Sequence, residues 1–93
     1  MTIWWREVLG AHRGAPGNRF GEILNERNWR MADVVAMYDL KFGRYGDHIT
    51  VGMVSKGARG VVRPGPLRAV RLAELVWQME GKFLSATDLF TPK

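Results

Sequence analysis

Ile49-Thr-Val-Gly-Met-Val-Ser-Lys-Gly-Ala-Arg-Gly60, followed by Val61-Val-Arg63, is the stretch on which the fold turns. Read as a short helix, it is capped by Thr50 and points Val54 inward. Ser55, Lys56 and Arg59 are then left facing outward. Gly52 and Gly57 each cost such a helix about 1 kcal/mol relative to alanine. It therefore needs support, either from packing of Met53 and Val54 or from an outside partner, and the flanking chain has to supply the platform.

The surroundings of this stretch are basic. From Lys41 to Arg71 there are seven basic residues (Lys41, Arg44, Lys56, Arg59, Arg63, Arg68 and Arg71) against the single acid Asp47, a local charge of +6, whereas the rest of the chain sums to −1. A concentrated basic segment in an otherwise balanced domain is the footprint of a polyanion-binding surface, and equally of a solvated face that keeps a small protein dispersed. Charge alone does not choose between them.

Ninety-three residues allow one compact domain with a single core, here taken as 1–93. Apolar residues at 46%, with 11% aromatic, place the chain well away from the composition of disordered proteins, so a folded core is expected. No apolar run approaches membrane-spanning length, and Met1-Thr-Ile-Trp-Trp-Arg-Glu7 lacks the form of a signal peptide, so the expected location is the cytoplasm. With no cysteine there is no disulfide, thiolate chemistry or cysteine zinc site. His12 and His48 are the only imidazoles, and no metal or cofactor is expected.

Working outward towards the N-terminus, Met31 to Tyr38 reads as a helix with Val34, Val35 and Tyr38 buried and Ala36 free to pack closely on a neighbour. Before it, Asn18 is placed to cap a helix from Phe20 to about Asn28, after the break at Gly14-Ala-Pro-Gly17. Residues 2–13 read as an N-terminal helical extension, with Ile3, Trp4, Trp5, Val8 and Leu9 on a broad apolar face. Neighbouring residues on a helix lie about 100° apart. One of Trp4 and Trp5 is therefore expected at the core edge or against a partner, which makes the pair a candidate interface.

Between the two central helices, Asp39 to His48 shows no clean period. It reads as a loop with a short helical extension, or as a ribbon pairing Lys41–Arg44 with Ile49–Val54 in a different small nucleic-acid-binding fold, where Phe42 and Tyr45 would stack on bases. The loop is the expectation. Beyond Val62-Arg-Pro-Gly-Pro66, Leu67 to Glu80 is the strongest helical pattern, with Leu72, Leu75, Val76, Met79 and Phe83 on one face and Gly81 as its stop. Ser85 and Asp88 form a capping-box variant that starts a last short helix, whose Leu89 and Phe90 close the core.

This order of elements (Met31-Ala-Asp-Val-Val-Ala36, then Val54-Ser-Lys-Gly-Ala-Arg-Gly60, a proline, a long apolar helix, and Ser85-x-x-Asp-Leu-Phe90) resembles the lambda-repressor-like helix-turn-helix family. This is the xenobiotic-response-element, or Cro/C1, type, and the resemblance covers residues 18–90. It implies an all-α, compact five-helix bundle, with the N-terminal helix added and Asp39–His48 inserted inside the helix-turn-helix. It also implies that the third bundle helix lies in the major groove of double-stranded DNA. Thr50, Val51, Gly52, Ser55 and Lys56 then fall at or beside base edges, Arg59 and Arg63 at phosphates, and Arg30 and Met31 near the backbone.

The implied protein is a small transcriptional regulator acting as a homodimer. The alternative is a protein-interaction module, such as an antitoxin or assembly adaptor, in which a degenerate helix-turn-helix no longer reads DNA. No enzyme is expected. Glu22 and Glu26 are a solvated helix face, Asp33 and Asp39 are helix-end charges, and neither Gly43/Gly46 nor Gly57/Gly60 has the setting of a phosphate loop.

Overall fold

The computed structural model describes residues 16–92. The helix expected over 2–13, with Trp4 and Trp5, lies outside the described residues. Within them the chain forms five helices and no strand: α1 (Arg19–Glu26), α2 (Met31–Phe42), α3 (Val51–Arg59), α4 (Pro66–Glu80) and α5 (Ala86–Phe90), with a 3-10 turn, Gly43–Tyr45, following α2. The all-α expectation holds. No described helix is long and apolar enough to cross a membrane.

Local chemistry sets most of the boundaries. The Asn18 side chain accepts from the Gly21 N–H (2.9 Å) at the start of α1, and Thr50 Oγ1 accepts from the Met53 N–H (3.1 Å) at the start of α3. Pro66 occupies the first turn of α4, where its missing N–H costs nothing, and Ser85 and Asp88 close a reciprocal capping box on α5. Helix α3 ends in a Schellman pattern. Gly60 adopts φ 74°, its N–H donates to the Gly57 carbonyl (3.2 Å), and the Val61 N–H donates to the Lys56 carbonyl (3.0 Å).

The ribbon reading of Lys41–Val54 is overturned. Helix α2 runs a full turn past Tyr38 because Phe42 falls four residues on, still on the buried face with Val34 and Tyr38, and its ring packs on that of Tyr38 at 4.9 Å. Burial decided what periodicity left open. Only Asp47 to Thr50 then remains as irregular chain before α3.

Other expectations are corrected in the same way. Ala36 is exposed and Val35 only half-buried, because the buried stripe of α2 is set by Val34, Tyr38 and Phe42. Phe83 lies beyond the stop at Gly81 and stays 63% exposed, standing edge-on to Trp77 at 5.5 Å instead of entering the core. Met53 is exposed too, so of the two side chains expected to support α3 only Val54 is buried in the core.

Helix α1 packs on α3 and α5, α2 on α3 and α4, and α4 on α5. The core between them gathers Phe20, Ile23, Tyr38, Val54, Leu75 and Leu89, and the Phe20 and Phe90 rings meet at 5.1 Å. Each helix places one face in this core. Fully burying such a side chain contributes about 1.5–3 kcal/mol, which is ample to hold short helices that would not persist alone.

Candidate nucleic-acid interface

Helix α3 divides cleanly into two faces. Val54, Gly57 and Ala58 are buried, while Val51, Gly52 and Lys56 are exposed and Ser55 is half-exposed. What holds the inner face is main chain more than side chain. Asn18 Nδ2 donates to the Gly57 carbonyl at 2.6 Å, and the Gly17 N–H donates to the Ala58 carbonyl at 3.0 Å. Those bonds need very close approach: a Cβ on Gly17 or Gly21 would lie under 3.0 Å from the Arg59 or Ala58 carbonyl oxygen. Glycine at 17 and 21 is therefore a packing requirement. Asn18, itself 2% exposed, caps α1 with its oxygen and ties down α3 with its nitrogen. The two glycines inside α3 are thus compensated by α1. Gly57 is buried with its carbonyl satisfied, and Gly52 is exposed, with room for a Cβ at 3.8 Å from Thr50 Oγ1.

The basic segment does not present all its charge. Asp47 is a hub: Tyr38 Oη donates to Oδ2 (2.5 Å), Arg68 Nε to Oδ1 (3.0 Å) and Arg71 Nη1 to Oδ2 (2.5 Å). Arg68 also donates to the His48 carbonyl (3.2 Å), and Arg71 lies over the Phe42 ring at 5.1 Å. Burial pushes the Asp47 carboxyl upward, yet the hydrogen bonds from Tyr38, Arg71 and Arg68 together outweigh it and hold the group down at about 2. Burial, with the bond to Asp47 next, pushes the Tyr38 hydroxyl up to about 12. Lys41 reaches Glu74 at 3.7 Å. Three of the seven cations are therefore paired with carboxylates of the chain itself.

Arg44, Lys56, Arg59 and Arg63 are the other four, and among the described residues none forms an ion pair. Arg44 lies over the Tyr45 ring at 5.1 Å. Lys56 and Arg63 are exposed, one on α3 and one on the connection leaving it. Arg59 is half-buried beside Pro16 and Met31, and its Nε is buried with no hydrogen-bond partner among the described residues. Arg59 thus has its alkyl stem and Nε tucked into the α1–α2–α3 junction.

At the start of α2 the expected backbone-contact pair separates. Met31 is partly buried against the core, and Arg30 is exposed but held by Asp33 through two hydrogen bonds of 3.1 Å. That contact raises Arg30 and lowers Asp33 from their ordinary values. A phosphate at Arg30 would have to displace or share with a carboxylate. His48 Nδ1 is paired with Asp39. The sequence reading missed Gly17, Gly21 and the hub role of Asp47. The only sequence signal for Asp47 was its isolation among seven cations.

No protein-family profile matches this chain, and no curated protein or solved structure matches it significantly.

Proposed function

We propose that the chain binds double-stranded DNA through the outer face of α3, as a small dimeric transcriptional regulator whose α2 and α3 form a lambda-repressor-like helix-turn-helix. The observation that carries this reading is where the uncommitted cations lie. Once Lys41 is assigned to Glu74, and Arg68 and Arg71 to Asp47, four cations of the segment form no ion pair among the described residues: Arg44 on the 3-10 turn, and Lys56, Arg59 and Arg63 on α3 and its exit, beside the exposed Val51 and Gly52 and the half-exposed Ser55. A capped helix fixed by its inner face, with short side chains near its N-terminus and cations towards its C-terminus, has the form of a major-groove reader flanked by phosphate contacts.

Dimerisation has its own support. Leu67, Val70 and Trp77 are exposed apolar residues along α4, and Phe83 beyond its end packs edge-on against Trp77. The same residues favour the second reading, an interaction module. Selection of binding sites from random duplexes at moderate salt, with light scattering of wild type and Trp77→Ala, separates the two. Enriched paired half-sites support the regulator. A stable dimer that enriches no sequence supports the adaptor.

A further inference from the structure

Behind the reading face of α3 is a cavity of about 290 Å³ that opens to solvent between α3, the Val62–Gly65 connection and α4. Its walls are largely apolar, with Phe20, Ile49, Met53, Val54, Val62 and Leu72 among them, and the polar side chains that line it among the described residues are the cations Lys56, Arg63 and Arg68. Among the described residues, no carboxylate lines it. Arg68 already has Asp47 as its partner, so Lys56 and Arg63 are the two whose charge is uncommitted among the described residues. A concave apolar chamber with a few convergent polar groups is the usual form of a small-molecule site, and this one sits at the lower limit of the ~300–1,000 Å³ typical of them.

We infer that this cavity binds a small organic anion, with a compact aromatic or branched aliphatic body inside and a carboxylate at the mouth on Lys56 and Arg63. The chemistry excludes neighbouring classes. A cationic ligand meets three positive side chains and no acid. A nucleotide is too large and too polar for these walls. A neutral hydrocarbon fills the body of the site but leaves both cations unanswered, whereas charge-assisted hydrogen bonds to a carboxylate are among the stronger contacts available.

The regulatory consequence, unlike the site itself, rests on the DNA-binding reading above. Lys56 and Arg63 belong both to the mouth of the cavity and to the proposed DNA face, so ligand and DNA compete for the same two charges. By linkage, each weakens the other by the same factor. The cavity is then an inducer site placed under the reading helix.

The test uses the full chain, with 2-naphthoate as probe and its neutral amide, 2-naphthamide, as control, followed by amide-resolved NMR without DNA. The expected result is saturable naphthoate binding, with shifts concentrated at Val54, Gly57, Val62 and Leu72. Naphthamide should bind about tenfold more weakly, the scale of a lost charged hydrogen bond. Val62→Trp, a change at an exposed position that fills the mouth, should abolish naphthoate binding while circular dichroism stays unchanged.

Equal affinity for acid and amide, shifts centred elsewhere, or no saturable binding overturns the site. If Val62→Trp fails to fold, Arg63→Gln serves in its place, and unaltered naphthoate affinity in that variant overturns the role of the mouth. A competition assay then completes the test: naphthoate should weaken duplex binding, and an unchanged duplex affinity overturns the inducer role. A chain that binds naphthoate here but binds no duplex loses the DNA reading and keeps the pocket. One that binds duplex but not naphthoate does the reverse.

Discussion

Arg68 and Arg71 on α4, and Lys56 and Arg63 around the end of α3, belong to the same basic stretch of sequence but are employed differently. The first pair converges on Asp47 and helps fasten α4 to α2 and to the chain before α3. The second pair meets no acid among the described residues. Formal charge counts both equally. Of the four cations in the segment that form no ion pair among the described residues, Lys56, Arg59 and Arg63 lie on α3 and its exit, and Arg44 lies on the 3-10 turn.

The largest effect expected on this contrast comes from removing the platform under the second pair. Gly21→Val puts a Cβ against the Ala58 main chain, which has no room for it, and should destabilise the protein by about 3 kcal/mol or more, read as a fall in urea midpoint. Gly52→Ala is the matched control. Its Cβ would meet nothing closer than Thr50 Oγ1 at 3.8 Å, and it should stabilise by up to about 1 kcal/mol. A tolerated Gly21→Val would mean that α3 is not seated on α1 by main-chain contact.

The next effect concerns the first pair. Asp47→Ala leaves Tyr38, Arg68 and Arg71 without their common acceptor and should cost about 2 kcal/mol. The pH dependence follows from the sign of the shift. Asp47 titrates lower in the folded chain, so its contribution is complete above its ordinary value of 3.8 and is lost as pH falls towards 2. Tyr38 titrates higher when folded, so its contribution is complete below 10 and is lost as pH rises towards 12. Denaturant midpoints followed from neutral pH towards pH 2 should fall less steeply for Asp47→Ala than for wild type. Equal slopes would remove Asp47 from the acid limb.

The smallest change in stability carries the sharpest discrimination. Lys56→Ala and Arg63→Ala should each alter stability by no more than about 0.5 kcal/mol. Each should also lower the slope of log affinity for duplex against log salt by about 0.9. Arg68→Ala should do the opposite, costing about 1 kcal/mol of stability and leaving the salt slope alone. A salt slope that drops equally for Arg68→Ala and Lys56→Ala would erase the distinction between the two sets.

The parts of the fold that could be read from sequence are those fixed within a few residues. Asn18, Thr50 and Ser85 cap helices through bonds spanning three residues, and Pro66 and Gly81 bound α4 by their own backbone preferences. The buried Leu72, Leu75 and Val76 follow from spacing alone. What escaped depends on residues far apart in the chain. Asp47 finds Arg68 and Arg71 across 21 and 24 positions, and Asn18 finds Gly57 across 39. Phe42 looked ambiguous because its helical assignment depends on the core it reaches. For the candidate interface, the exposed face of α3 was legible from its own pattern. The commitment of Arg30 to Asp33 is a three-residue contact that local reasoning had the means to find.

The seat of α3 on α1 separates where a helix sits from what it displays. Its last turn is held through the carbonyls of Gly57 and Ala58 and the absence of side chains at 17 and 21, none of which involves residues 51, 52, 55 or 56. Substitutions at those four outer positions therefore change the lettering on a surface whose location is set elsewhere. The outer face of α3 can be changed one position at a time, with the backbone that carries it left in register.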